Sequence, residues 1–285
     1  MPMRQATILE ALYQARRSIG DIDARMLLQH ALNVSHAHLI AYPDQELSPE
    51  QVQYLGQLTQ RRACGEPVAY LTGRREFYSL DFKVTPAVLI PRPETELLVD
   101  LALERIPVDR AFKVLDLGTG SGAIALTIAK HRPLVSVIAV DASVEAVRIA
   151  ESNAKQLNVH NVRIMKGDWF EGLGGERFDL IVSNPPYVAS ADPHLSQGDL
   201  RFEPAMALTD GADGLGCLRS IMGSAPAHLI AGGTLLVEHG YDQAEVCRQL
   251  LENAGFRAII CHPDLAGIPR ISGGTWMMPQ GTNRT

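Results

Sequence analysis

Along the first seventy residues, apolar positions recur at helical spacing in short runs, each with its own start signal. In "SPEQVQYLGQLTQRRACG", Val52, Leu55 and Leu58 share one face, Ser48 stands as N-cap, Pro49 takes the first helical position and Gln51 can close a capping box. Asp21 is placed to cap "DIDARMLLQHALN", and Ser35 to cap "SHAHLIAY". The pattern predicts a helical domain over residues 1–73, with no catalytic constellation in its loops. Then the period changes. "EFYSLDFKVTP" sets Leu80, Phe82 and Val84 against Asp81 and Lys83, the alternation of a half-exposed strand, and predicts a hairpin linker over residues 74–93.

"LIPRPETELLVDLALERI" opens a helix after Pro91 and Pro93, with Leu97, Leu98 and Leu101 facing inward. Beyond it strands and helices alternate: "KVLDLG", a helix to His131, "VSVIAVD", a helix to Leu157, "VRIMKGD", "FDLIVSN", a helix near 215–231, "GTLLVEHG", a helix to Ala254, "FRAIICH" and "RISGGTWMM". Such alternation predicts an α/β domain over residues 94–285, a doubly wound and mostly parallel sheet with helices on both faces. In such sheets ligands sit at the carboxyl ends of the strands, where the winding direction reverses.

Composition narrows the function classes. With 285 residues, two domains are the default; 46% hydrophobic and 20% charged residues suit a soluble protein. No apolar stretch approaches the roughly 18 residues that span a bilayer, and Glu10 interrupts any signal-peptide core. A cytoplasmic protein with no membrane partner is expected, and a monomer. Cys64, Cys217, Cys247 and Cys261 show no C-x-x-C spacing, so reduced thiols are expected, and the histidines have no metal spacing, so no metal site is. Residues 1–90 hold nine Lys/Arg and nine Asp/Glu, so the net charge of -6 arises wholly in residues 91–285. Neither part has the basic stripe that phosphate-backbone binding requires, which argues against a direct nucleic acid partner.

Candidate chemistry lies at the strand ends. "VLDLGTGSGAIAL" is a strand, a glycine turn and a helix start. Gly118, Gly120 and Ala123 fit the dinucleotide spacing, while Gly118, Gly120 and Gly122 fit a plain G-x-G-x-G, with Thr119 and Ser121 between them. Asp116 separates the two: a carboxylate there would repel a pyrophosphate but attract the ammonium of a methionine-like tail, which favours S-adenosylmethionine over NAD. Asp141 closes the second strand, where an acid can accept from both ribose hydroxyls or cap the helix from Val144. After the third strand, Asp168 can accept from an adenine amine, and Trp169 can stack on the ring or pack in the core.

The fourth strand ends in "NPPY". Pro185 and Pro186 have no N–H and a fixed φ, so they cannot continue a ladder and hold Asn184 and Tyr187 in a stiff exit. A planar NH2 group needs two acceptors, which the Asn184 side-chain oxygen and the Pro185 carbonyl can supply, while Tyr187 offers its face to the substrate or to a sulfonium. This is the pattern of a nitrogen-methylating site. Holding the NH2 by two acceptors aims its lone pair at the methyl and stabilises charge developing on nitrogen. After the strand comes "VASADPHLSQGDLRFEPAMALTDGADG", long for a βα connection; it is expected to wall the substrate pocket, structured by Arg201 and Glu203.

The ordered series "LTGRREFYSLDFKV", "LIPRPETE", "DLGTGSGAIAL", "GDWF", "NPPY", "RFEP" and "EHG" resembles the release factor glutamine methyltransferases, the HemK family, over nearly the whole chain. The resemblance implies a Rossmann-like, S-adenosylmethionine-dependent methyltransferase fold with a helical substrate-docking domain. It implies methyl transfer to the side-chain amide (N5) of the glutamine in the Gly-Gly-Gln motif of class 1 peptide chain release factors, leaving S-adenosylhomocysteine. In that family Gly118 to Gly122, Asp141, Asp168 and Trp169 would hold the cofactor, and Asn184, Pro185, Pro186 and Tyr187 the glutamine, with Asn184 also touching the cofactor. The alternatives are a ribosomal protein glutamine or the exocyclic amine of a flipped nucleic acid base as methyl acceptor, a module that merely binds the cofactor, and a dehydrogenase.

Overall fold

The structure, a computed structural model, describes residues 5–277. Residues 1–4 of the expected first domain, and Met278 of the expected last strand, lie outside the described residues. The chain forms two compact units: residues up to Arg74 together with Gln197–Phe202, and Arg75–Ser196 together with Glu203 onward. The partition is therefore not contiguous. The hairpin following Arg74 falls in the second unit, and six residues of the long loop fall in the first.

In the first unit, α1 (Ile8–Ile19), α2 (Asp21–Leu32), α3 (His36–Ala41), α4 (Pro49–Ala63) and α5 (Val68–Thr72) enclose a core that includes Ile8, Leu27, Leu28, Leu47 and Leu58. Ser48 and Gln51 form a reciprocal capping box on α4, and Ser35 caps α3. Asp21 does not cap α2. Gly20 holds that position with φ 81°, ending α1 and starting α2 in one residue, a conformation that only glycine adopts without strain. Asp21 is thereby the first helical residue, where its charge suits the helix dipole and pairs with Arg16 and with Arg25 at 3.0 Å. The segment Gln197–Phe202 is tied in by side chains of this unit. Arg62 bridges Asp23 (2.6 Å) and Asp199 (3.0 Å), and Arg201 donates to the Cys64 carbonyl (2.6 Å).

The second unit opens within strand β1 (Arg74–Phe77), from Arg75, and continues with β2 (Leu80–Lys83). Their two-residue loop, Tyr78 and Ser79, has φ 53° and 60°, the left-handed geometry of tight hairpins but without the usual glycine. Local hydrogen bonds hold it: Tyr78 N–H to Glu96 Oε1 (2.8 Å), Ser79 N–H to Glu76 Oε1 (2.6 Å) and the Tyr78 hydroxyl to Asp100 (2.6 Å).

After α6 (Glu96–Arg105) come β3 (Phe112–Leu117), α7 (Ala123–His131), β4 (Val135–Asp141), α8 (Val144–Gln156), β5 (Val162–Lys166), β6 (Phe178–Ser183), α9 (Gly216–His228), β7 (Leu229–Glu238), α10 (Ala244–Asn253), β8 (Phe256–Pro263) and β9 (Pro269–Trp276). The sheet order is β5-β4-β3-β6-β7-β9-β8, parallel from β5 to β7, with β9 antiparallel to both β7 and β8. Central strands are buried on both faces, as parallel sheets require. Val114, Val137, Leu180 and Leu236 pack with α6 and α7, while Leu115, Ile138, Ile181 and Leu235 pack with α9 and α10. β7 begins four residues before the expected "GTLLVEHG", because Leu229 already pairs with Phe178 and the register then shifts before Thr234 meets Leu180. Among the described residues no helix is long and apolar enough to cross a membrane, and the four cysteines are free.

One buried amide couples hairpin, helix and glycine turn. Asn153 of α8, wholly inaccessible, accepts from Lys83 N–H (2.8 Å) and donates to the carbonyls of Lys83 (3.0 Å) and Ser121 (2.8 Å). Replacing it with an apolar side chain strands three backbone groups away from water. Asn153→Leu is expected to lower unfolding stability by about 3 kcal/mol, measured by urea denaturation; a loss under about 1 kcal/mol, the net worth of a single bond, would contradict the assignment.

Candidate active site

β3 and β6 pair in parallel with Leu117 opposite Ser183, so the chain leaves both strand tips side by side, as Gly118 on one and Asn184 on the other. The Ser183 hydroxyl donates to the Leu117 carbonyl (2.7 Å) and locks the two ends together. From β3 the chain turns toward β4: the N–H groups of Gly118 and Thr119 both donate to the Val140 carbonyl, at 2.9 and 3.0 Å. Gly118, Gly120 and Gly122 have φ 72°, 56° and 83°, which side-chain-bearing residues rarely adopt. Gly122 also permits close packing, since a Cβ there would lie 2.9 Å from Leu126 and 3.2 Å from Ala150.

Asp141, at the tip of β4, fastens this turn. Its Oδ2 accepts from Gly120 N–H (2.8 Å) and its Oδ1 from Ser143 N–H (2.9 Å). It is not the cap of α8, because Ser143 takes that place. Burial raises the pKa of Asp141, and the two N–H donors oppose that rise.

These tips surround a cavity of about 240 Å³. On its wall lie Gly118, Thr119, Gly120, Ser121, Asp141, Asp168, Trp169, Asn184 and Pro186, together with the segment around Pro91, Arg92 and Thr95. A Cβ built on Gly120 meets nothing within 4 Å, so this part of the turn borders open space. Trp169 lines the cavity and also packs against the apolar layer on the α9 and α10 side, its ring 3.6 Å from where a Gly118 Cβ would be. It does so at φ 48°, a strained backbone for a bulky residue.

Four residues expected at the site are not on that wall. Gly122 faces α7 and α8, and Pro185 is buried. Tyr187 does not present its ring to the cavity: its hydroxyl donates to Glu238 Oε1 (3.1 Å), and its carbonyl accepts from Gln243 Nε2 (2.9 Å). Asp116 is wholly buried beneath the turn instead of facing a ligand ammonium. Thr119 donates to its Oδ2 (2.6 Å), and its Oδ1 has no hydrogen-bond partner among the described residues. An acid at the last inward position of a central strand is enclosed by its neighbours, and spacing to a glycine does not report this.

Residues not singled out from the sequence complete the arrangement. Asn184 Nδ2 donates to Thr95 Oγ1 (3.1 Å), and Thr95 is only 4% exposed. Glu238, at the tip of β7, is buried, and its Oε2 has no hydrogen-bond partner among the described residues. Both stand in stretches that drew notice as motifs, "PRPETE" and "EHG", but no spacing rule links them to Asn184. Glu203, expected to structure the long loop, accepts from Ile90 N–H (3.1 Å) and from Arg92, and so anchors the cavity-lining segment.

Residues 94–206 match the family model described as Methyltransferase small domain, and residues 6–73 the one described as PrmC N-terminal domain. Among curated proteins, the chain is 52% identical over 254 residues to the release factor glutamine methyltransferase of Bordetella pertussis, covering 89% of this chain and 94% of that one. It is 49% identical over 263 residues to that of Xylella fastidiosa (92% and 96%), and 46% identical over 266 residues to that of Salmonella typhimurium (93% and 96%). Among solved structures, a methyltransferase from Pyrococcus furiosus aligns with TM-score 0.55 at 19% identity, over 78% of this chain and all 100% of that one. The T. thermophilus 16S rRNA N2 G1207 methyltransferase, solved with AdoMet and guanosine, aligns with TM-score 0.51 at 22% identity, over 71% and 49%. These two speak to the fold.

The buried acids generate a pH signature. Burial pushes the Asp116 carboxyl up to about 7, opposed by the Thr119 hydroxyl, and burial likewise pushes Glu238 up to about 7, opposed by the Thr95 and Tyr187 hydroxyls. In an unfolded chain such acids ionise near pH 4. Between about pH 4 and 7 the native state therefore keeps a proton that the unfolded chain has lost, and stability falls as pH rises through that window. Asp116→Asn removes the Asp116 share of this dependence and leaves that of Glu238. Its melting temperature relative to wild type is expected to be more favourable at pH 8 than at pH 5 by calorimetry of the ligand-free protein; a gap independent of pH would contradict the burial account.

Proposed function

The chain belongs to the release factor glutamine methyltransferase family, and on that premise we propose that it transfers a methyl group from S-adenosylmethionine to the N5 amide nitrogen of the glutamine in the Gly-Gly-Gln motif of class 1 peptide chain release factors. The observation that carries this reading is the pairing of β3 with β6, which brings an acceptor-bearing Asn184 and a glycine turn onto the wall of one cavity.

The residues present fit the cofactor. Gly120 borders open space on the cavity wall, and the Asp141 carboxylate stands beside it, fixed by the Gly120 N–H. Asp141 and the turn from Gly118 to Gly122 would hold the adenosine and methionine portions, with Asp168 and Trp169 at the adenine. S-adenosylmethionine bound there supplies an electrophilic methyl carried on a sulfonium.

The chain's own residues do the rest by position. An amide nitrogen is a poor nucleophile because its lone pair is delocalised, so orientation and charge stabilisation must supply most of the rate. The Asn184 Oδ1, on the cavity wall, would accept one N–H of the glutamine carboxamide, and the carbonyl of the adjacent, buried Pro185 would have to supply the second acceptor; the fixed φ of the prolines holds both still. So placed, these oxygens would lie against the positive charge that methylation puts on nitrogen. One N–H proton then leaves to solvent, so no dedicated base is required before attack. S-adenosylhomocysteine is the second product, and the protein acts in the cytoplasm as a monomer.

Mass spectrometry of a class 1 release factor incubated with the protein and S-adenosylmethionine is expected to map one added methyl to the Gly-Gly-Gln glutamine. Transfer into a ribosomal protein or nucleic acid at an equal rate would overturn the substrate. Asn184→Ala is expected to retain cofactor affinity within about threefold while losing turnover by about 100-fold or more; unchanged turnover would favour a mere binding module.

A further inference from the structure

A side-chain carboxamide has two ends of nearly equal shape and opposite chemistry, an acceptor oxygen and a donor NH2. At Asn184 that choice decides everything that follows. With Oδ1 toward an incoming amide the site grips an NH2 group; with Nδ2 there it repels one. The prolines fix the backbone of this segment, but they do not fix rotation of the Asn184 side chain about its last bond.

The structure supplies a partner that breaks the symmetry. Asn184 Nδ2 donates to Thr95 Oγ1 at 3.1 Å, and Thr95 sits 4% exposed on a one-turn helix, Pro93–Thr95, that leads into α6. A hydroxyl that accepts from Asn184 must direct its own proton elsewhere. Glu238 stands beside it, a buried carboxyl that accepts from the Tyr187 hydroxyl at 3.1 Å and whose Oε2 has no hydrogen-bond partner among the described residues. Tyr187 bonds this carboxyl directly, and the Thr95 hydroxyl lies near enough to it to favour its charged form. The segment bearing Thr95 is itself held in place, since Glu203 accepts from Ile90 N–H at 3.1 Å and from Arg92.

We propose that Thr95 is a positioning residue for methyl transfer, its hydroxyl fixing the Asn184 carboxamide with the oxygen presented to the substrate. The inference rests on the reading above that this oxygen accepts from the amide to be methylated. Thr95 shares the cavity wall with Asn184, and its role in the reaction is exerted through the Asn184 carboxamide.

Two readouts test it, one on the enzyme alone and one on turnover. In 15N-labelled protein, the side-chain amide resonances of Asn184, identified by their loss in Asn184→Ala, are expected to move in Thr95→Val and to stay near their wild-type positions in Thr95→Ser. Resonances unmoved by Thr95→Val would overturn the proposal. Because this measurement involves no release factor, it stands apart from any failure of the substrate assignment. In turnover, Thr95→Val is expected to lower kcat about 10- to 100-fold with S-adenosylmethionine affinity within about threefold, and Thr95→Ser to restore most of the loss. In the Asn184→Ala background Thr95→Val should cost nothing further; an equal loss in both backgrounds would show a general structural role and overturn the proposal. Should Thr95→Val not fold, Thr95→Ala is read by the same two measurements with the same outcomes.

Discussion

The parallel pairing of β3 with β6 is the constraint on which the site depends. Leu117 faces Ser183 across that ladder, and the Ser183 hydroxyl bonds the Leu117 carbonyl, so the two strands end at the same height. A shift of one residue would exchange inward and outward side chains along the whole of β6 and move Asn184 off its place beside Gly118. The register is held by burial: Leu180, Ile181 and Val182 are wholly inaccessible, packed alternately into the two apolar layers. The geometry of the site is thus set by the core of the sheet.

The strand and helix pattern was readable because each element carried its own period and punctuation. "KVLDLG" and "FDLIVSN" are short apolar runs ended by glycine or proline, and Ser48 with Gln51 announces a helix by a capping chemistry that needs no tertiary partner. Where a local signal had two compatible outcomes, the structure decided. Asp21 looked like a cap, but Gly20 can turn the chain in a single residue and took the position. Asp141 could cap α8 or serve the cavity, and Ser143 relieved it of the first task.

What could not be read were contacts between residues far apart in the chain. Thr95 lies 89 residues before Asn184, and Asn153 lies 70 after Lys83. Neither pair leaves a trace in spacing or composition. Asp116 shows the complementary limit: its charge was legible, but its depth was not, and depth is what raises its pKa and withholds it from the cavity wall. Tyr187 belongs with it. A phenol at a strand exit suggests a face for a ligand, yet the nearby Glu238 engages its hydroxyl and Gln243 its carbonyl. One buried oxygen on each of Asp116 and Glu238 lacks a hydrogen-bond partner among the described residues, which costs stability in the free protein, a cost characteristic of sites shaped for a ligand instead of for folding.

The central claim is spatial: one cavity at the β3, β4 and β6 tips receives both the methyl donor and the carboxamide, with Asn184 between them. A crystal structure of the protein with S-adenosylhomocysteine and a Gly-Gly-Gln peptide tests it most directly. The account requires the adenosyl group against Asp141 and the glycine turn, and the glutamine nitrogen about 3 Å from the Asn184 oxygen. A peptide glutamine bound away from Asn184, or an adenosyl group bound outside this cavity, would contradict it.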